Sequence, residues 1–168
     1  MIDRAVLGKI NQSLYFARLH CDNARDLVVD ASSQPQFSRQ QQQCFLEASA
    51  DCLFRAVFFL AIELLDKGTL RSELIQQPNQ LLNRLRLAYQ ENPIAEVDSL
   101  IQALEDPHSL ATLLSARQTI WSHNAVRQAA PKDAIAVVDL SLSVDSCERW
   151  QQLIADLFLK VQGISAEF

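Results

Sequence analysis

The hydrophobic period of the first thirty residues constrains this chain more than any other feature. Leu7, Ile10, Leu14, Ala17, Cys21, Ala24, Val28 and Ala31 recur at alternating steps of three and four. That spacing lays apolar side chains along one stripe of an α-helix, whereas a strand would need them at every second residue. The period predicts a helix from about Asp3 to Ala31, ended by Ser32, Ser33, Gln34 and Pro35. The middle of the stripe is small (Ala17, Cys21, Ala24), which leaves room for a bulky neighbour to approach.

A second long helix follows. Ser38 with Gln41 three residues on has the form of a capping box, and Lys67-Gly68 has the form of a helix end. Between them Phe45, Ala48, Cys52, Ala56, Phe59 and Ile62 form one face, while Leu53, Phe54, Val57, Phe58, Leu60 and Leu64 crowd the others. A helix apolar nearly all round from Leu53 to Leu65 belongs at the centre of a bundle. The short link between two long helices predicts an antiparallel hairpin.

The middle third breaks into shorter pieces. Leu70 to Ile75 and Leu81 to Tyr89 are helical, and Pro78 has the place of a first-turn proline. Asn92 before Pro93 predicts the cap of a helix reaching about Leu104, and Asp106-Pro107 opens another through Leu110, Leu113, Leu114, Arg117 and Trp121. From Asn124 to Val144 the helical period stops. Leu140, Leu142 and Val144 alternate with polar residues there, which predicts an extended strap along the bundle. Asp145 and Glu148 suggest a capping box for a last helix with Cys147, Trp150, Ile154, Leu157, Val161 and Ile164 on one stripe. The expectation is therefore all-α: residues 1–168 as a single antiparallel helical bundle, with about four long helices, several short ones and a strap before the last. Only three glycines in 168 residues agree with long helices and argue against turn-dense β architectures.

Charge and cysteine usage narrow the function classes. A net charge of −5 argues against wrapping nucleic acid, which basic surfaces do by releasing counterions. The segment 107–132 is the exception, because it holds no Asp or Glu while carrying His108, Arg117, His123, Arg127 and Lys132. The opening Met1-Ile2-Asp3-Arg4 shows charge at once and predicts no secretory leader. The most apolar run, interrupted by Arg55 and Glu63, is too short to span a bilayer. Four cysteines without CxxC spacing (Cys21, Cys44, Cys52, Cys147) read as small buried apolar residues in a reducing compartment, so the cytoplasm is expected.

Candidate chemistry is sparse. Arg117 and His123 fit an arginine, five residues, histidine spacing that resembles HEPN-type helical ribonucleases. That resemblance implies a dimer in which His123 does acid–base work on a ribose hydroxyl and Arg117 holds the scissile phosphate. Trp121 would offer a stacking face. Three histidines, three allowed spacings and eleven arginines give on the order of 0.6 matches by chance, so the spacing alone makes no site. Gln118 also stands where that family tends to have Asn or Asp.

Glu105-x-x-His108 has the spacing of di-iron bundles, but one copy with Pro107 inside it cannot supply the paired motifs such a centre needs. His20 and Cys21 are adjacent, hence about 100° apart on a helix, and cannot both grip one ion. Cys44 and Cys52 lie roughly 12 Å apart along their helix, too far for a disulfide. Glu47, Asp51 and Arg55 form a row suited to solvated ion pairing. No phosphate loop, nucleophile elbow or dinucleotide fingerprint is present. Neither a cofactor nor a metal is expected, and Trp121 and Trp150 read as core or interface anchors.

The run Asn11-Gln12-Ser13-Leu14-Tyr15-Phe16-Ala17-Arg18, the Phe/Leu-rich second helix and the stretch from Arg117 to His123 together resemble a small family of helical proteins from pseudomonads and related gammaproteobacteria. The resemblance spans essentially the whole chain and implies a bacterial cytoplasmic setting without a mechanism. The leading expectation is a non-enzymatic interaction module whose partner is a protein, either itself or another chain. The alternative is a HEPN-like RNA-cleaving or RNA-binding domain, or a catalytically dead relative, acting as a dimer. A third reading is an apolar ligand held near Phe54, Phe58 and Phe59.

Overall fold

Helical periods run through most of the chain, and the computed structural model, which describes residues 4–29, 35–65, 69–129 and 142–162, turns them into an all-α bundle. Its helices are α1 (Arg4–Val29), α2 (Pro35–Leu64), α3 (Thr69–Gln76), α4 (Leu81–Glu91), α5 (Ala95–Glu105), α6 (Ala111–Ala129) and α7 (Val144–Val161), with a 3-10 turn at Pro78–Gln80 before α4. Among the described residues there is no strand, and no helix is long and apolar enough to cross a membrane.

α1 and α2 form the hairpin the sequence predicts. The Ser49 hydroxyl donates to the Ala17 carbonyl at 2.9 Å, and the Gln42 side-chain amide donates to that of Ala24 at 3.3 Å. Further along, His20 stacks on Phe45 and the Lys9 ammonium lies 5.3 Å from the Phe59 ring centroid. Numbers rise on one helix as they fall on the other, so the pair is antiparallel. At Ala17 the small patch of α1 meets a small residue of α2. A serine hydroxyl reaches only one atom beyond Cβ, so its bond to Ala17 requires the two backbones to come close, small against small.

α2 touches every other described α-helix, as an all-round apolar helix should. Its buried residues are Leu46, Ser49, Ala50, Leu53, Phe54, Ala56, Val57, Leu60, Ala61 and Ile62, whereas Phe45, Cys52 and Phe59 are only half-buried. Of the expected leading face Ala56 and Ile62 are thus buried, and the rest of the buried side of α2 is turned away from it. α7 closes the hairpin from one side through Cys147, Trp150, Ile154, Leu157 and Phe158, all buried. The Trp150 indole N–H donates to Thr112 Oγ1 at 2.8 Å and ties α7 to α6.

Helix ends differ from expectation in five places, the first being α6, which opens at Ala111 after a turn over 107–110 and not at Asp106-Pro107. α2 begins at Pro35, before Ser38, because a proline whose missing N–H would be unbonded anyway opens a helix well. Asn92 ends α4 instead of starting α5: its N–H bonds Ala88 O at 2.9 Å, and Pro93 holds it extended. Ser143, not Asp145, caps α7, its hydroxyl accepting from the Ser146 N–H at 3.1 Å. α6 continues six residues past His123 to Ala129, since Asn124–Ala129 contains no glycine or proline to stop it. The strap expected from Asn124 is therefore helical at its start and extended at Ser143, and residues 130–141 lie outside the described residues. The expected helix end at Lys67-Gly68 lies outside them too.

Candidate functional site

α6 places Leu114, Arg117, Gln118, Trp121 and Ser122 on one face, at the three- and four-residue steps that bring helical side chains together. Leu113 and Ile120, on another side of the helix, are buried in the core. The first face fronts a groove of about 700 Å³ whose floor is Phe54 of α2 and whose far wall is Pro78, Asn79, Leu81 and Leu82.

Arg117 dominates this groove. Its guanidinium carbon lies 3.6 Å from the Phe54 ring centroid and 5.0 Å from the Trp121 ring. At 3.6 Å an edge-on guanidinium would drive a nitrogen into the ring, so the group must lie nearly flat on Phe54. Its N–H donors then point sideways, in the plane, and not at the ring. Nε is buried without a hydrogen-bond partner, and the side chain makes no ion pair among the described residues. Burial pulls its pKa below the ordinary value, with Asp51 opposing, but Asp51 is itself engaged by Arg55 at 2.8 Å. Trp121 is 61% exposed, so it is neither core nor covered here.

His123 follows on the same continuous helix. Six residues correspond to about 9 Å of rise and a rotation of about 120° from Arg117. The two positions therefore sit on different sides of α6, and the His123 side chain lies outside the described residues. What the structure brings to Arg117 is Phe54, Trp121 and the α4 wall.

A second candidate surface lies on α1. Tyr15, Phe16 and Leu19 are exposed by 63%, 40% and 41%, with the two rings in edge contact at 5.7 Å. They share the outer face with Ala5, Gly8 and Gln12, opposite the buried Val6, Ile10, Ala17, Cys21 and Ala24. A Cβ added at Gly8 would meet nothing within 4 Å, so nothing among the described residues requires a glycine in this helix.

The remaining sequence candidates resolve into structure. Glu105 ends α5 and accepts from Arg86 at 2.7 and 2.8 Å, while His108 lies exposed in the turn, its N–H held by Asp106 at 2.8 Å. His20 stacks on Phe45, whereas Cys21 turns to the Val144 carbonyl at 3.7 Å. Cys44 is exposed and Cys52 half-buried, which corrects the expectation of four buried thiols; only Cys21 and Cys147 are buried. Among the described residues no three His, Cys, Asp or Glu side chains converge as a metal site would require. Phe58 packs against Phe54 and Phe59, and of these three only Phe54 lines the groove.

Arg117 stands out in the sequence, but its setting does not. Phe54, Asn79 and Leu82 come from distant segments, and no local spacing announces them. The outer aromatics of α1 did leave a signal: Tyr15 and Phe16 fall off the apolar stripe. Comparison with protein family models, curated proteins and solved structures gives no match.

Proposed function

We propose that this chain is a non-enzymatic helical module that self-associates through the outer face of α1. The observation that carries the reading is the exposed cluster of Tyr15, Phe16 and Leu19 on a helix whose other face is already committed to the core. The cluster is self-complementary in size. About a two-fold axis at Gln12, two antiparallel copies of α1 bring Phe16 against Gly8 and Leu19 against Ala5, large against small. Glycine costs about 1 kcal/mol against alanine inside a helix, and close approach of a second helix is the usual reason to keep it.

A standard stable interface buries roughly 800 Å² per partner. One helix face supplies only part of that, so association should depend on concentration. Sedimentation velocity across a concentration series tests this, with dimers expected for the wild type and monomers for Phe16→Glu and Gly8→Leu. Gly8 has open space around it, so the second variant leaves the protomer folded. A wild type that stays monomeric at the highest concentration would defeat the reading. An RNA-directed dimer built on Arg117 and His123 would oppose α6 faces instead, and its association would survive Phe16→Glu.

A further inference from the structure

The groove over Phe54 shares no residue with the α1 face and has its own chemistry. We propose that it is a binding site for a small aromatic monocarboxylate, with the carboxylate on Arg117 and the ring between Trp121 and the α4 wall.

Three observations carry this. The space is right: about 700 Å³ lies within the ordinary range of small-ligand pockets, roughly 300–1,000 Å³. The lining is mostly apolar, from Phe54, Leu81, Leu82, Leu114 and Trp121, with a few polar groups (Asn79, Gln118, Ser122) at the edge. That is the composition that buries a hydrophobic body and orients it by a small number of contacts.

The third observation is the cation. Arg117 lies flat on Phe54 with its in-plane donors unused, and its Nε is buried with no partner. An unpaired buried donor is unfavourable, and a planar carboxylate accepting two parallel N–H bonds satisfies it best. Stacking on Phe54 holds the fork in one orientation, so little side-chain entropy is lost when the anion arrives.

Charge sets the number of anionic groups. Arg117 is the only cationic side chain lining the groove among the described residues, and Asp51 is near enough to act on it. One negative charge is balanced there. A phosphodiester chain would bring several, against a protein of net charge −5. Trp121, 61% exposed beside the cation, gives the ring a face to cover.

The test uses the wild-type protein and three probes in calorimetric titration: 1-naphthaleneacetate, its neutral primary amide, and uridine 5′-monophosphate. The acid should bind and the amide should bind at least tenfold more weakly, a comparison that needs no variant. Arg117→Gln should lower affinity for the acid at least tenfold while leaving the amide unchanged, with circular dichroism reporting the fold. Trp121→Ala, at an exposed position, should weaken both. Absence of acid binding at millimolar concentration, equal binding of acid and amide, or a preference for the nucleotide would each overturn the proposal.

Discussion

Two inter-helix clefts of this protein hold an arginine, and they use it in opposite ways. Between α1 and α7, Arg25 is about half exposed, bonds Asp22 at 3.1 Å and pairs with Glu148 across the cleft. Glu148 raises its pKa above the ordinary value. Around it Arg18, Gln151 and Gln152 line a smaller, polar space of about 310 Å³. Between α2, α4 and α6, Arg117 has no carboxylate partner among the described residues and rests on an aromatic ring, and burial lowers its pKa. A paired, solvated arginine belongs to the structure. An unpaired one in an apolar groove is unfinished chemistry, and such a position marks a site more reliably than residue type does.

The largest test of this contrast concerns packing. Ile154, fully buried where α7 meets the rest of the core, should lose about 2–5 kcal/mol on replacement by alanine, because the closed seam cannot collapse around the void. Leu82, half-buried on the groove wall, should lose only about 1 kcal/mol, since its side chain already faces an opening. Urea denaturation of the two variants measures both. Similar losses would mean the groove is as closed as the seam.

A second, smaller effect follows from Cys147, buried between α7 and the α1–α2 hairpin. Burial pushes its thiol pKa up to about 12, with hydrogen bonding to Ser49 opposing and Cys21 and Glu148 adding to the rise. The unfolded thiol ionises first as alkali is added. The stability that depends on the neutral thiol is thus whole below the ordinary thiol pKa and is lost as pH rises from there towards about 12. Urea midpoints at neutral and alkaline pH should fall further apart in the wild type than in Cys147→Ala. An equal fall in both would show that this thiol does not control the seam. The desolvation that makes Cys147 inert and leaves Arg117 unsatisfied is one physical effect acting on two kinds of group.

The smallest effects separate the arginines themselves. Arg25→Met should lower stability slightly at low salt and lose that difference near about 1 M salt, where exposed charges are screened within roughly 3 Å. Arg117→Met should leave stability unchanged or raise it slightly, because methionine keeps the contact with Phe54 and removes a buried unpaired donor. Thermal melts at the two salt concentrations read both. A larger loss at Arg117 than at Arg25 would make Arg117 a structural residue and erase the contrast.

How much of this was legible beforehand depends on the range of the interaction. The stripe of α1, the all-round apolar character of α2 and the stripe of α7 are periods within one segment, and each produced the helix it predicts. Helix ends were less legible, because several residues compete for the same cap. Asn92 serves the helix before it, and Ser143 displaces Asp145. The burial of individual cysteines was less legible: Cys44 falls on the exposed side of α2 beside Gln41 and Glu47, although Phe45 and Leu46 follow it directly.

By itself, then, the sequence determined that the chain is helical, which helices are long, and that α2 lies at the centre, since these follow from backbone hydrogen bonding and the side-chain repeat along one segment. It also singled out Arg117. Only the tertiary structure decided what surrounds Arg117. Phe54, Leu82 and Trp121 come from three helices, and nothing in one-dimensional spacing says that a ring from α2 will lie 3.6 Å beneath a guanidinium from α6. The reason is physical: helix formation is governed by local terms, whereas a site depends on which faces pack and on which polar groups that packing leaves without partners.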